Sequence, residues 1–89
     1  MDDIDIKEIE EKIVNCEDKK GDFLYINEAE LGYTVHDFIF SLFTKFRADK
    51  HKQIDFFMSP QYVKVFSEVL SKLVENYEEK FGTIITNKK

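Results

Sequence analysis

The sequence predicts an α+β fold: an antiparallel three-stranded β-meander packed by one long C-terminal helix, with a short N-terminal helix. Three observations predict it. From Ser59-Pro60 to Phe81-Gly82 the apolar residues recur at spacings of three and four, between a start signal and a stop signal. Ahead of this stretch stand runs rich in aromatic and β-branched residues, joined by short polar connections that suit hairpins rather than parallel crossovers. The chain has 89 residues, enough for one domain and one core.

The elements follow in order. Ile4, Ile6, Ile9 and Ile13 form a narrow apolar stripe, which predicts a short helix within Asp5–Cys16. A helix of that length must dock on something or fray. Residues 17–22 are a polar linker, so 1–22 form an acidic N-terminal segment ahead of a core over 23–86. Phe23–Asn27 reads as the first strand, continuing towards Ala29 and Leu31, and Gly32 permits the turn after it. Val35–Thr44 reads as the second strand, Arg47–Lys52 as a charged loop, and Gln53–Met58 as the third strand. Ser59 can cap the long helix with its hydroxyl, and Pro60 suits the first helical position, where no N–H is needed. Val63, Phe66, Leu70, Leu73, Val74, Tyr77 and Phe81 make one stripe, and Gly82 supplies the stop. Thr83–Thr86 suits a short edge strand, and 87–89 are a polar tail.

Strand alternation sorts the side chains. Phe38, Phe40, Leu42, Ile54, Phe56 and Met58 share one face and are natural partners for the helix stripe. Val35, Ile39, Phe43 and Phe57 fall on the other face. A solvated sheet face is mostly polar, so this second group calls for a cover. The N-terminal helix or a second copy of the chain could supply it.

Composition narrows the function classes. The net charge is −5, which provides no long-range attraction to nucleic acid or anionic lipid. One cysteine, Cys16, rules out an internal disulfide and fits a reducing, cytoplasmic setting. No apolar run approaches membrane-spanning length, so no membrane partner is expected. His36 and Asp37 are neighbours in a strand pattern and diverge, so they do not pair as base and orienter. Two histidines without ligand spacing do not predict a zinc site. Cys16 stands beside Glu17 and Asp18, which disfavour a thiolate. The three glycines are isolated rather than grouped in a phosphate loop. Neither a catalytic constellation nor a cofactor is expected. The one basic cluster is Lys45, Arg47, Lys50 and Lys52, with His51 among them, a candidate contact for a phosphate backbone or simply a solvated hairpin.

Two segments also carry a family resemblance. Asp37-Phe38-Ile39-Phe40-Ser41-Leu42 leads through a charged loop to Met58-Ser59-Pro60-Gln61-Tyr62-Val63-Lys64, and Tyr77-Glu78-Glu79-Lys80-Phe81-Gly82-Thr83-Ile84 closes the stretch. This resembles small prokaryotic proteins of the domain of unknown function 3467, with an acidic residue and Phe opening an apolar strand, a Ser-or-Thr-Pro helix start and a Tyr-Glu-x-x-Phe-Gly-x-Ile ending. The resemblance runs from about Leu24 to Ile85, with the acidic N-terminal segment outside the pattern. It implies a strand-strand-helix core and no particular reaction.

The functional expectation is a non-enzymatic interaction or adaptor protein, homodimeric or bound to another protein, with Val35, Ile39, Phe43 and Phe57 as the interaction face. The alternatives are a nucleic-acid-associated protein using the basic residues of 45–52, and a phage or mobile-element inhibitor of a host factor.

Overall fold

The structure is a computed structural model and describes residues 5–17 and 20–86. Asp2, Asp3, Ile4, Asp18, Lys19 and the expected polar tail at 87–89 lie outside the described residues. The element order is α1 (Ile6–Glu11), β1 (Glu28–Tyr33), β2 (Phe38–Phe46), β3 (Asp49–Met58) and α2 (Pro60–Phe81). The strands form one antiparallel sheet in the order β1-β2-β3. Class and element order are those the sequence predicts. The chain divides into two compact units, Cys16–Val63 with the sheet, and Met1–Asn15 together with Lys64–Lys89.

Within the sheet unit the strand boundaries shift from the expected ones. β1 is Glu28–Tyr33, and Phe23–Asn27 precedes it without strand pairing of its own. Asn27 docks the segment instead: its backbone N–H donates to the Phe43 carbonyl at 3.1 Å, and its side-chain amide exchanges bonds with the Lys45 backbone at 2.7 and 2.9 Å. The Thr44 hydroxyl also donates to the Tyr25 carbonyl. A side chain thus takes over the pairing that another strand residue would have made.

Gly32 lies inside β1, opposite Ile39, and not in the turn. The turn is at Thr34–Asp37, where the Thr34 hydroxyl accepts from the His36 and Asp37 N–H groups, both at 3.1 Å. The Thr34 N–H closes it by donating to the Asp37 carbonyl at 2.8 Å. A threonine hydroxyl that satisfies backbone donors makes such a turn without glycine. The turn also takes Val35 and His36 out of β2, which begins at Phe38.

The charged stretch at 47–52 is mostly strand. Phe46 pairs with Asp49, so the connection is only Arg47-Ala48, with Arg47 at a φ of 58°. A hairpin this tight needs a left-handed residue, and here a non-glycine supplies it.

In the helical unit, α1 ends at Glu11 rather than reaching Cys16. Asp5 caps it by accepting from the Lys7 N–H at 3.1 Å. Ile13, Val14 and Asn15 are poor helix formers, and a single turn and a half has little cooperativity to carry it through them. α1 and α2 line a shallow groove with Ile6, Ile9 and Glu10 on one side and Glu68, Ser71, Lys72 and Glu75 on the other. Ile9 is the buried apolar residue of this unit among the described residues. The sheet unit contains no residue of α1.

Both ends of α2 fall where the sequence marks them. The Ser59 hydroxyl accepts from the Tyr62 N–H at 3.2 Å. Gly82 has a φ of 99°, and its N–H donates to the Glu78 carbonyl at 2.9 Å. The Glu78 carboxylate then accepts from the Ile84 N–H at 2.9 Å. This bond accounts for the glutamate ahead of Phe81-Gly82, and it holds 83–86 as a non-strand segment in place of the expected edge strand.

A Cβ at residue 82 would meet nothing within 4 Å, so the cost of Gly82→Ala is backbone strain alone. Gly82→Ala is expected to lower stability by about 1–2 kcal/mol. Ser59→Ala is expected to cost about 1 kcal/mol. Urea titrations followed by circular dichroism would check both, and unchanged midpoints would show that the helix ends contribute nothing.

Candidate functional site

The register assigns each strand residue to a face. On one face β1 contributes Ala29, Leu31 and Tyr33, β2 contributes Phe38, Phe40 and Leu42, and β3 contributes Ile54, Phe56 and Met58. Every one is apolar or aromatic. Phe40 stacks on Phe56 with ring centroids 4.9 Å apart, and Tyr33 tilts against Phe38 at 5.8 Å. The six residues expected to face the helix stripe do share this face. In the structure Leu31 is 68 % and Tyr33 78 % exposed.

The opposite face differs in character because of a bulge. Leu42 pairs with Ile54, but Phe43 pairs with Lys52, so Gln53 is an extra residue in β3. One inserted residue reverses the alternation beyond it. Lys52 and Lys50 therefore join the face that carries Asp55, which regular alternation would have denied them. Lys52 pairs with Asp55 at 2.9 Å although the two are only three residues apart in a strand. Lys50 reaches Glu30 on β1 at 2.7 Å and stands over the Phe43 ring at 4.6 Å. The Ser41 hydroxyl donates to Asp55 at 2.6 Å. Gln53 itself donates to the Thr44 hydroxyl at 3.0 Å.

These contacts move two ionisable groups. The Ser41 hydroxyl, with Lys52 beside it, holds the Asp55 carboxyl below its ordinary range. The hydrogen bond to Glu30 raises Lys50, with the Glu30 and Glu28 charges adding to it. Both side chains are solvated, and exposed pairs of this kind contribute little to stability.

The expected interaction face is only partly assembled. Ile39 and Phe57 are direct cross-strand partners, 42 % and 71 % exposed. Phe43 shares their face but is buried. Val35 stands in the turn ahead of β2, outside the strand. The basic cluster is divided as well. Lys50 and Lys52 are held by carboxylates, whereas Lys45 and Arg47 have no ion-pair partner among the described residues. Arg47 lies over the Phe46 ring at 5.1 Å. Among the described residues no group of three or more His, Cys, Asp or Glu could hold a metal ion. No helix there is long and apolar enough to cross a membrane.

Comparison with known proteins adds one result. A family model described as protein of unknown function, DUF3467, matches residues 2–86. The chain belongs to the DUF3467 family. The match extends the resemblance to the acidic N-terminal segment, so α1 is part of the family pattern and not an addition to it. No curated protein and no solved structure matches the chain. The DUF3467 features with a structural role here are the Ser59-Pro60 helix start and the Glu78–Ile84 clamp after Gly82.

The bulge ties the ion pairs to sheet stability. A carboxyl held low in the folded state adds stability that is present above its unfolded value near 3.9 and lost as pH falls through the folded value. Asp55→Asn is therefore expected to flatten the acid limb of a stability-against-pH curve, with a small loss of stability near pH 7 that vanishes in acid. An acid limb identical to that of the parent protein would show that Asp55 does not couple to folding.

Proposed function

We propose that this DUF3467 protein is a non-enzymatic interaction protein that works as a homodimer and presents its sheet to a further protein. One observation carries the reading: neither unit, taken by itself, closes an apolar core. Among the described residues only Ile9 and Phe43 are buried apolar side chains. The sheet unit has an apolar face with no second layer of its own, and a sheet face of that kind needs one. In the helical unit Phe66, Leu70 and Tyr77 on the stripe of α2 are 38–52 % exposed. A second copy of the chain supplies apolar cover without requiring any other component.

The broad apolar face suits self-association, because a stable interface takes about 800 Å² from each partner. The Ile39–Phe57 pair is far smaller. It sits among the Glu30–Lys50 and Lys52–Asp55 pairs, an apolar centre within a polar rim. We assign that pair to the contact with another protein.

A second reading, contact with nucleic acid through the β2–β3 hairpin, rests on Lys45 and Arg47. Arg47 occupies a left-handed conformation that costs a side-chain-bearing residue about 1–2 kcal/mol, and strain of this kind concentrates at functional positions. The pairing of Lys50 and Lys52 with carboxylates weighs against it, since each phosphate contact would have to displace an existing partner.

Light scattering on the purified protein is expected to give twice the 10.6 kDa chain mass. A particle of 10.6 kDa would sink the homodimer. Ile39→Glu combined with Phe57→Glu is expected to leave mass and helicity unchanged, and dissociation would move the dimer contact to that face. For the second reading, a labelled single-stranded oligonucleotide is expected to show no salt-sensitive binding. Binding that weakens steeply with salt and disappears in Lys45→Gln with Arg47→Gln would establish nucleic-acid contact instead.

A further inference from the structure

We propose that two copies of the chain join along the outer edge of β1, antiparallel and with Leu31 of one facing Leu31 of the other, so that their sheets continue as one. The proposal rests on the homodimer reading and adds the place where the copies join. Its first support is the direction of the backbone groups. β1 is an edge strand, with β2 on one side and no strand of the described residues on the other. The Thr34 N–H donates to the Asp37 carbonyl, and the same register pairs Gly32 with Ile39, Glu30 with Ser41 and Glu28 with Phe43. Alternate residues of an antiparallel strand bond to a given neighbour. Thr34, Gly32, Glu30 and Glu28 therefore turn their backbone groups towards β2, and Ala29, Leu31 and Tyr33 turn theirs outward. Such a row of open N–H and C=O groups is a template for another strand.

The two edges of the sheet are not alike. The edge of β3 carries the Gln53 bulge together with Lys50 and Lys52, features that discourage pairing. β1 carries no lysine or proline, and its register with β2 is regular throughout. Exposure is uneven in the same sense. On the apolar face Phe38, Phe40, Leu42, Phe56 and Met58 are half-buried, whereas Leu31 and Tyr33, beside the open edge, are exposed.

The second support identifies the occupant, because β1 is complementary to itself. A two-fold interface uses the same patch from both copies. With the axis at Leu31, the apolar side sets Leu31 beside Leu31 and the small Ala29 beside Tyr33. On the other side Glu30 meets Gly32 and Glu28 meets Thr34, so no carboxylate stands opposite another. Gly32 suits this place, since a glycine inside a strand often marks the close approach of another chain. Sliding the strands by two residues one way sets the two Glu30 side chains opposite each other, a like-charge pair that destabilises a sheet. Sliding them the other way carries the partner of Ala29 past the end of β1. Glu30 is also paired with Lys50 within its own copy at 2.7 Å, so its charge does not hold the copies apart.

Amide hydrogen exchange on the parent protein, followed by NMR alongside light scattering, tests the pairing. The protein is expected to be a dimer in which the amides of Ala29, Leu31 and Tyr33 exchange at least about a hundredfold more slowly than in the unfolded chain. A dimer in which all three exchange as fast as in the unfolded chain overturns the edge pairing and leaves the homodimer standing. A monomer overturns both readings together.

Disulfide cross-linking tests the register. In this ladder Glu30 and the other copy's Gly32 are a non-hydrogen-bonded pair with Cα atoms about 4.5 Å apart, within disulfide reach. A Cβ at Gly32 would meet nothing within 4 Å, so a cysteine fits there. Chains with Glu30→Cys and chains with Gly32→Cys, each also carrying Cys16→Ser, are to be co-expressed and oxidised. The mixture is expected to cross-link into two-chain species far more than either variant alone. Both positions lie on the side of the sheet opposite the apolar face, so copies stacked through that face would not bring them together. A mixture that cross-links no more than the single variants overturns the pairing.

Discussion

The β2–β3 ladder and its single extra residue, Gln53, set the conditions for the rest of the sheet. Up to Leu42–Ile54 the two strands alternate in step, and their apolar residues collect on one side. Past that point the bulge changes the phase. Lys50 and Lys52 would otherwise have lain on the apolar side, unpaired and costly to cover. The bulge brings them beside Glu30 and Asp55 and over Phe43, where they complete ion pairs and shield a ring. One residue thus moves Lys50 and Lys52 from the side of Phe40 and Phe56 to the side where Glu30 and Asp55 pair with them.

The long helix depends on its ends in a comparable way. Ser59 and Pro60 start it within a single residue of β3, and Gly82 stops it in a conformation that other residues adopt at a cost. The Glu78 carboxylate then fixes the chain beyond the stop through the Ile84 N–H. The features that mark the family's helix therefore have local backbone roles: two termini and a clamp.

A protein built this way spends its apolar residues on surfaces rather than on a core inside either unit. That distribution suits a component of an assembly. The acidic balance, the small size and the separation of one apolar face from one ion-paired face are consistent with a dimer whose outer side remains available to another protein.

Composition and periodicity alone determined the class, the strand count and both ends of α2, because a 22-residue amphipathic helix with a cap, a proline and a glycine states its limits locally. The sharing of a face by Phe38, Phe40, Leu42, Ile54, Phe56 and Met58 was equally legible, since regular alternation holds over that span. What only the tertiary structure decided was pairing. Asn27 docks through its side chain and Gln53 bulges out, and both depend on a partner in another segment, whereas the turn at Thr34 is closed locally by His36 and Asp37. The same reason explains the changed interaction face: Phe43 is buried because register brings Lys50 over it, and Val35 is lost to a turn. Local signals describe how a segment prefers to run, whereas register and burial arise between segments.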